Sequence, residues 1–172
     1  MNTVMETLLN RRSIRAFTEA PLSREELLQI AKAGTYAPSG KNGQTWKFTI
    51  ICDRSQISRL SQVIAQELGR EGYDMYSPAA LIIPSNEAAS PFGKEDNACA
   101  LENIFLAAHS YGIGSVWINQ LQGICDRPAV RSLLTAWNIP ANHVVYGLAA
   151  LGYPAEQPNK PVNKTGTIEI IE

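Results

Sequence analysis

The sequence predicts one domain in which helices and strands alternate along the chain. Stretches with apolar residues at helical spacing, some opened by capping signals, are interleaved with short runs that alternate apolar and polar residues as strands do. The 172 residues are 45% hydrophobic and 18% charged, the composition of an ordinary folded domain. We therefore expect residues 1–172 to form a single domain.

Two capping boxes predict the first two helices. Thr3 with Glu6 begins the first, which should end at the basic run Arg11–Arg15. Ser23 with Glu26 begins the second, which should stop before the next proline, at position 38. Its apolar face should carry Leu27, Leu28, Ile30 and Ala31.

A strand and a surface helix should follow. Apolar and polar residues alternate from Trp46 to Cys52, as in a strand with one buried face. From Asp53 to Leu68 apolar residues recur at helical spacing with polar residues between them, and Gly69 is suited to end the helix.

The middle of the chain contains its most apolar helix. Ala80–Ile83 predicts a short buried strand, and Ser85–Glu95 resembles an exposed loop. Asn97–Tyr111 has so few polar residues that this helix should be buried on nearly all sides. Packing against a second copy of the chain is the easier way to cover every face, which is a first indication of a dimer.

The C-terminal third should add two strands, a helix and a tail. The strands are predicted at Ser115–Ile118 and Val144–Leu151, and the helix at Pro128–Trp137 with Asp126 as its cap. Beyond these, Ile168 and Ile170 alternate with polar residues as in an edge strand. A tail that leaves the body and forms a strand commonly pairs with another chain, so we expect the segment from about residue 155 to extend onto a partner subunit.

Charge, cysteine and histidine content exclude several classes. Lys and Arg number 15 against 16 Asp and Glu, a net charge of −1, so neither nucleic acid nor a membrane surface is an expected partner. No signal peptide or membrane span is recognisable, and we expect a cytoplasmic protein. Cys52, Cys99 and Cys125 should be reduced and structural, with no metal site. His109 and His143 lack the neighbours of a hydrolytic triad and should be packing or surface residues.

The run Arg11–Arg15 has two interpretations. Three guanidinium groups and the Ser13 hydroxyl within five residues are well suited to bind a phosphate. A solvated basic turn explains the same charges. Ile14 slightly favours the first interpretation, because an apolar residue inside the run should pack against the body.

Two glycine-containing segments are less specific. Ala37–Trp46 has the composition of an ordinary turn between a helix and a strand, which leaves only Gln44 and Trp46 unexplained. Gly112-Ile113-Gly114 begins like a dinucleotide fingerprint, but Trp117 stands where the third glycine belongs and the segment precedes a strand. We therefore reject a Rossmann site and predict a tight helix-to-strand turn.

In order, these segments resemble the FMN-dependent nitroreductase family over almost the whole chain. The matching runs are Arg-Arg-Ser-Ile-Arg-Ala-Phe, Ala-Pro-Ser-Gly-x-Asn-x-Gln-x-Trp-x-Phe, Gly-Ile-Gly-Ser-Val-Trp-Ile and Leu-Gly-Tyr-Pro. The resemblance implies an α+β three-layer sandwich with a mostly antiparallel central sheet flanked by helices. It also implies an intertwined homodimer with FMN at the interface and a C-terminal strand added to the partner's sheet.

The resemblance assigns roles to individual residues. Arg11, Arg12 and Ser13 should hold the FMN phosphate and ribityl chain, and Arg15 should reach the pyrimidine edge of the flavin. The other subunit should supply the dimethylbenzene and ribityl side through Pro38, Ser39, Gly40 and Asn42. The backbone of Trp117, Ile118 and Asn119 should pass near the reactive N5. Lys164, with Lys160 as second choice, should complete the phosphate site.

At two positions the chain departs from the family pattern and lacks a positive charge that relatives place near FMN. Where larger members place a second lysine near the flavin, this chain has Gly72-Tyr73-Asp74-Met75, so Arg15 is the sole expected cation at the pyrimidine. Where the family commonly has arginine in the tail, this chain has Asn163.

The activity that the resemblance implies needs no protein acid, base or nucleophile, because the cofactor carries the chemistry. NADH or NADPH would reduce FMN, and an acceptor such as a nitroaromatic or quinone would then take the electrons in a ping-pong cycle. A flavin-cleaving or dehalogenating enzyme on the same scaffold is one alternative, and a non-catalytic flavin carrier or sensor is another.

Overall fold

The structure, a computed structural model, describes residues 2–156, 158 and 163–172. Its helices are α1 (Thr3–Asn10), α2 (Arg24–Thr35), α3 (Arg54–Leu68), α4 (Gly93–Ser110) and α5 (Pro128–Ala136). Its strands are β1 (Trp46–Ile51), β2 (Ala80–Glu87), β3 (Gly114–Ile118), β4 (His143–Val144) and β5 (Leu148–Gly152). A single 3₁₀ turn, Gly40–Asn42, lies between α2 and β1. None of the helices in the described part of the chain has the length and apolar character to cross a membrane.

The five strands form one sheet in the order β1-β2-β5-β3, and β4 pairs with the end of β2. Each of these pairings is antiparallel. The mostly antiparallel sheet implied by the family resemblance is therefore confirmed.

Helices cover both faces of the sheet. On one face α3 and α5 pack through residues such as Leu60 and Leu134 against Leu81 and Ile83 of β2. On the other face α2 and α4 pack against Ile82, the residue between them, and against β5. Because successive strand residues point to opposite faces, β2 contributes to both cores and is apolar throughout its first half. This is the expected α+β three-layer sandwich.

The helix caps were predicted with mixed success. Ser23 and Glu26 form the reciprocal capping box of α2, and Gly69 ends α3, as expected. Asp53, the first residue of the predicted helical stretch, is the N-cap of α3, which begins at Arg54. The prediction for α1 was wrong, because the side chain of Asn2, one residue earlier, accepts from the backbone N–H of Met5 at 2.9 Å.

Two helical assignments need a similar correction. Asp126 does not cap α5; its carboxylate pairs with Arg131 at 2.5 Å, and Pro128 in the first turn has no backbone N–H that would need an acceptor. Leu28 does not belong to the buried face of α2, since it is 51% exposed.

The predicted loop from Ser85 to Glu95 was wrong at both ends. β2 continues to Glu87, and Ser85 and Asn86 are fully buried because β1 pairs with this stretch on one side and β4 pairs with Asn86 and Glu87 on the other. α4 begins at Gly93, four residues before the predicted start at Asn97. A strand that has hydrogen-bonded neighbours on both sides can bury polar residues, and in the sequence such residues look like those of a loop.

α4 is not buried on nearly all sides within the single chain. Its buried face includes Leu101, Ile104 and Ala108, but Cys99 and Glu102 on another face are exposed. Cys52 is also exposed, so of the three free thiols only Cys125 is buried.

The last predicted strands also differ. Val144–Leu151 is divided into β4 and β5, and Gly147 between them lies so close to Trp117 that an added Cβ would be 2.4 Å from the indole Nε1. Residues 163–172 form no strand within the chain, and Ile168 and Ile170 are 91% and 80% exposed. Within the described residues the tail pairs with no strand of its own chain, so a strand there would form only against another molecule.

Candidate functional site

The Arg11–Arg15 run is attached to the edge of the sheet. The backbone N–H of Ile14 donates to the Ser115 carbonyl at 3.0 Å, and Ser13 forms a parallel bridge with Ser115. The Ile14 side chain is 8% exposed and fits against Gly114, where a Cβ would come within 2.9 Å of it. The packing expected from Ile14 is confirmed, and the backbone of the run is fixed.

Two arginines of this run line a pocket of about 120 Å³. Its walls are formed by Asn10, Arg11, Arg12, Ile14, His109, Gly112, Ile113, Gly114, Ser115, Pro154 and Pro158. Among these described lining residues no side chain is acidic, while two carry permanent guanidinium charge. The pocket is therefore suited to an anion such as a phosphate group.

Arg11 is oriented by α4. Its Nε lies 3.7 Å from a carboxylate oxygen of Glu102, and its guanidinium carbon is 5.8 Å from the centre of the Phe105 ring. An ion pair this long and partly exposed contributes little free energy, so Glu102 can orient Arg11 and still release it to a stronger anion.

Arg15 has different surroundings. Its side chain is exposed, and within the described part of the chain it forms no salt bridge. Its guanidinium carbon lies 5.9 Å from the centre of the Tyr76 ring. Arg15 is thus a cation held by an aromatic ring and free to meet a ligand.

The loop Pro38–Gln44 is pinned to the start of α4. The backbone N–H of Gly40 donates to Oδ1 of Asp96 at 2.8 Å, and an added Cβ at Gly40 would lie 2.2 Å from the Phe92 ring. Lys41, Asn42 and Gln44 all have left-handed backbone, with φ of 54°, 54° and 47°. These conformations are costly for residues other than glycine and persist where the surroundings enforce them.

The segment after the glycine turn presents one aromatic side chain. Trp117 is 39% exposed, with its ring centre 6.0 Å from that of Phe105. Ile118 is 1% exposed, so only its backbone could approach a ligand at the surface. Asn119 is exposed, and its backbone N–H donates to the side chain of Gln120 at 3.0 Å.

α4 connects the predicted site segments. Asp96 holds the loop and Phe105 contacts both Arg11 and Trp117, and nine residues of helix separate these positions by about 13 Å. Within the described residues no hydrogen bond or ion pair joins the loop to the Arg11–Arg15 run. The single chain therefore places Arg11 and Arg12 at the pocket, Ser13 beside Ser115 and Trp117 beside Phe105. None of these contacts involves Pro38, Ser39, Gly40 or Asn42.

Within the described residues the structure does not connect either tail lysine with the pocket. Lys164 is exposed in a stretch without secondary structure, and Lys160 lies outside the described residues.

Sequence reasoning missed several residues of this region: His109, Asp96, Glu102, Phe105 and Tyr76. His109 was interpreted as a packing or surface residue, yet it lines the arginine pocket. Asp96 offered a signal, since an acid on the apolar face of a helix needs a buried partner. Tyr76 offered none, because its contact with Arg15 joins segments 61 residues apart.

Comparison with known proteins agrees with this architecture. Residues 8–153 match the model of the nitroreductase family, so the chain belongs to that family. A crystal structure of a nitroreductase with bound FMN from Bacteroides fragilis is 42% identical, covers 100% of both chains and superposes with a TM-score of 0.93. A putative NADH dehydrogenase/NAD(P)H nitroreductase from Archaeoglobus fulgidus is 32% identical over 91% of this chain and 88% of its own. An NADPH-flavin oxidoreductase from Vibrio harveyi is 30% identical over 92% and 68%.

Proposed function

We propose that this protein is an FMN-dependent oxidoreductase that transfers electrons from NADH or NADPH to an acceptor such as a nitroaromatic or quinone. The observation that carries the proposal is the arginine-lined pocket beside β3 together with the exposed Arg15 on the same run. The relatives support it, because one of 42% identity binds FMN and others are named for NAD(P)H-dependent reactions.

The residues present fit FMN. Arg11 and Arg12 would supply charged donors for the phosphate, in a pocket whose described lining has no acid, and the hydroxyl of the neighbouring Ser13 would add a further donor. Lys164, or Lys160 in its place, would add a tail cation. The loop Pro38–Asn42 has left-handed backbone at Lys41 and Asn42, and the small residues Ser39 and Gly40 would let a ligand come close to its backbone. An isoalloxazine ring would rest near the backbone of Trp117, Ile118 and Asn119.

The chain's own residues position the cofactor and support its charge. Bound FMN supplies a hydride-accepting centre and becomes more negative along its pyrimidine edge when reduced. Arg15 has no carboxylate partner within the described residues, so its charge is available to stabilise that edge. Arg11 and Arg12 would hold the phosphate end of the cofactor, away from the ring that accepts the hydride. No side chain has to act as an acid, base or nucleophile.

The proposed site is shared between two copies of the chain in a homodimer. α1 has no buried residue and exposes Val4, Met5, Leu8 and Leu9, and α4 leaves Cys99 exposed. These apolar surfaces, and the three isoleucines of the tail, are uncovered in one copy. A partner would cover them, and its loop Pro38–Asn42 would complete the cleft beside Arg11–Arg15. The partner's tail would pair with the free edge of the sheet at β1, since the Ser13–Ser115 bridge occupies the edge at β3.

The test is to purify the protein from cytoplasmic extract and determine its bound flavin. We expect a yellow protein with about one FMN per chain that consumes NADH or NADPH when a nitroaromatic or quinone is added. A colourless protein that FMN cannot reconstitute would refute the proposed function.

A further inference from the structure

The segment Met75-Tyr76-Ser77 has an unusual backbone. All three residues lie in the left-handed region, with φ of 53°, 68° and 47°, and none of them is glycine. A left-handed conformation places the Cβ against a carbonyl oxygen, so residues with side chains adopt it at a cost and usually singly. A run of three indicates that the surrounding structure enforces it, and such strain often accompanies a functional position.

Asp74 builds this turn. Its Oδ1 accepts from the Tyr76 backbone N–H at 2.9 Å, and its Oδ2 accepts from the Ser77 hydroxyl at 2.8 Å. The Ser77 N–H also donates to the Asp74 carbonyl at 3.0 Å. The left-handed residues are therefore held by a local network of three hydrogen bonds.

The two flanking side chains anchor the turn to the core. Met75 is fully buried among residues of α3 and β2, and Tyr73 packs against the same cluster. Burial is also the main reason that the pKa of Tyr73 is raised to about 12. With Met75 buried and Tyr73 partly buried, Tyr76 is the aromatic residue that the turn presents at the surface, 39% exposed.

Tyr76 meets Arg15 there, 5.9 Å from ring centre to guanidinium carbon, within the range of a cation–π contact. Arg15 makes no salt bridge in the described part of the chain, and the Tyr76 ring is the group that lies beside its guanidinium. A long arginine side chain without a fixed neighbour populates many rotamers in water. The Tyr76 ring restricts the number of rotamers that the Arg15 side chain adopts.

We infer that Tyr76 is a positioning residue that holds the Arg15 guanidinium toward the pyrimidine edge of bound FMN. This inference rests on the proposed function and extends it, since it gives the strained turn Asp74–Ser77 a role in tuning the flavin. Tyr76 acts through Arg15 and does not itself need to touch the cofactor.

The test is a double-mutant cycle between Tyr76 and Arg15, read out as the FMN dissociation constant and the flavin midpoint potential. Tyr76→Asn removes the ring and keeps the turn, because asparagine tolerates left-handed backbone. We expect Tyr76→Asn to weaken FMN binding by about 2- to 5-fold, the factor that corresponds to the free energy of an exposed cation–π contact. It should also lower the flavin midpoint potential, because Arg15 is then less often held at the pyrimidine edge. Tyr76→Phe should match the parent. In an Arg15→Ala background, Tyr76→Asn should have no further effect.

Tyr111→Asn is the matched control, since Tyr111 is 49% exposed and makes no cation–π contact in the described residues. We expect it to leave both readouts unchanged. Additive effects of Tyr76→Asn and Arg15→Ala, or a loss in Tyr76→Phe equal to that in Tyr76→Asn, would overturn the inference while leaving the proposed function intact. Failure of the parent to bind FMN would overturn both.

Discussion

Arg11 and Arg15 are four residues apart on one fixed segment, and their neighbours give them different tasks. Arg11 lines the pocket and is oriented by Glu102 and Phe105, which suits a residue that exchanges a weak protein partner for a phosphate. Arg15 is exposed beside a single ring, which suits a residue whose charge acts on the flavin itself.

The variant Arg15→Ala distinguishes an electrostatic role of Arg15 in flavin reduction from a role in FMN binding alone. With the variant saturated by excess FMN, loss of a charge-assisted hydrogen bond of about 1.5 to 3 kcal/mol should slow flavin reduction by roughly one to two powers of ten, if it is expressed largely in the transition state. Arg11→Ala is the control, and it should weaken FMN affinity but leave the saturated rate nearly unchanged. Single-turnover reduction measures both. Equal rates for Arg15→Ala and the parent would leave Arg15 with a binding role only.

Asp96 should stabilise the loop Pro38–Gln44. Asp96→Ala leaves the partly buried Gly40 N–H without its acceptor, and we expect a loss of unfolding free energy at the lower end of the about 1 to 3 kcal/mol that an unsatisfied buried donor costs. The loop should also loosen, so FMN affinity should fall. Asp96→Asn retains an acceptor oxygen and should recover most of both losses. Urea unfolding and FMN titration are the measurements, and an Asp96→Ala variant with parental stability and affinity would contradict this role.

At the scale of elements, the helix ends that were predicted correctly depend on local sequence motifs, and the strand boundaries that were missed depend on tertiary contacts. The capping box of α2 and both ends of α3 involve residues within a few positions of each other, so the sequence contains the whole motif. The extension of β2 through Asn86 depends on its two neighbouring strands, and the break at Gly147 depends on the approach of Trp117. Neither partner is visible from the local sequence.

The candidate site follows the same division. The Arg11–Arg15 run, the Pro38–Asn42 loop and the Trp117 segment were recognisable because each is contiguous. Asp96 and Tyr76 were not, since each acts on a residue more than fifty positions away along the chain.

The short strand β4 should make stability depend on pH through His143. Its Nδ1 lies 3.0 Å from the Ser85 hydroxyl, and burial is the main reason that the pKa of His143 is lowered from 6.5. A lowered pKa means that the unfolded chain binds the proton more tightly, so this contribution is present above about pH 6.5 and is lost as pH falls through the folded-state pKa.

His143→Gln removes that titration and keeps a polar side chain. We expect the parent to lose more unfolding free energy than His143→Gln between pH 7.5 and pH 5.5, measured by urea unfolding at each pH. Parallel losses in the two proteins would show that His143 contributes nothing to the acid dependence.

At the scale of the whole molecule, uncovered apolar residues predict a dimer. Each tail isoleucine that becomes buried on association contributes about 1.5 to 3 kcal/mol. The double substitution Ile168→Glu and Ile170→Glu should therefore weaken the dimer by at least about a hundredfold. Sedimentation velocity at micromolar concentration should show a dimer for the parent and monomer for the variant. A parent that sediments as a stable, FMN-loaded monomer would contradict the shared site.

The central claim is that the chain holds FMN for nicotinamide-dependent electron transfer, and it is tested most directly by anaerobic stopped-flow reduction. FMN-loaded protein is mixed with NADH or NADPH without air, and the flavin absorbance is followed before and after a nitroaromatic or quinone is added. We predict that the yellow colour bleaches with one of the nicotinamides and returns with the acceptor. A protein that binds FMN but stays yellow with both nicotinamides would contradict the account and indicate a flavin carrier or sensor.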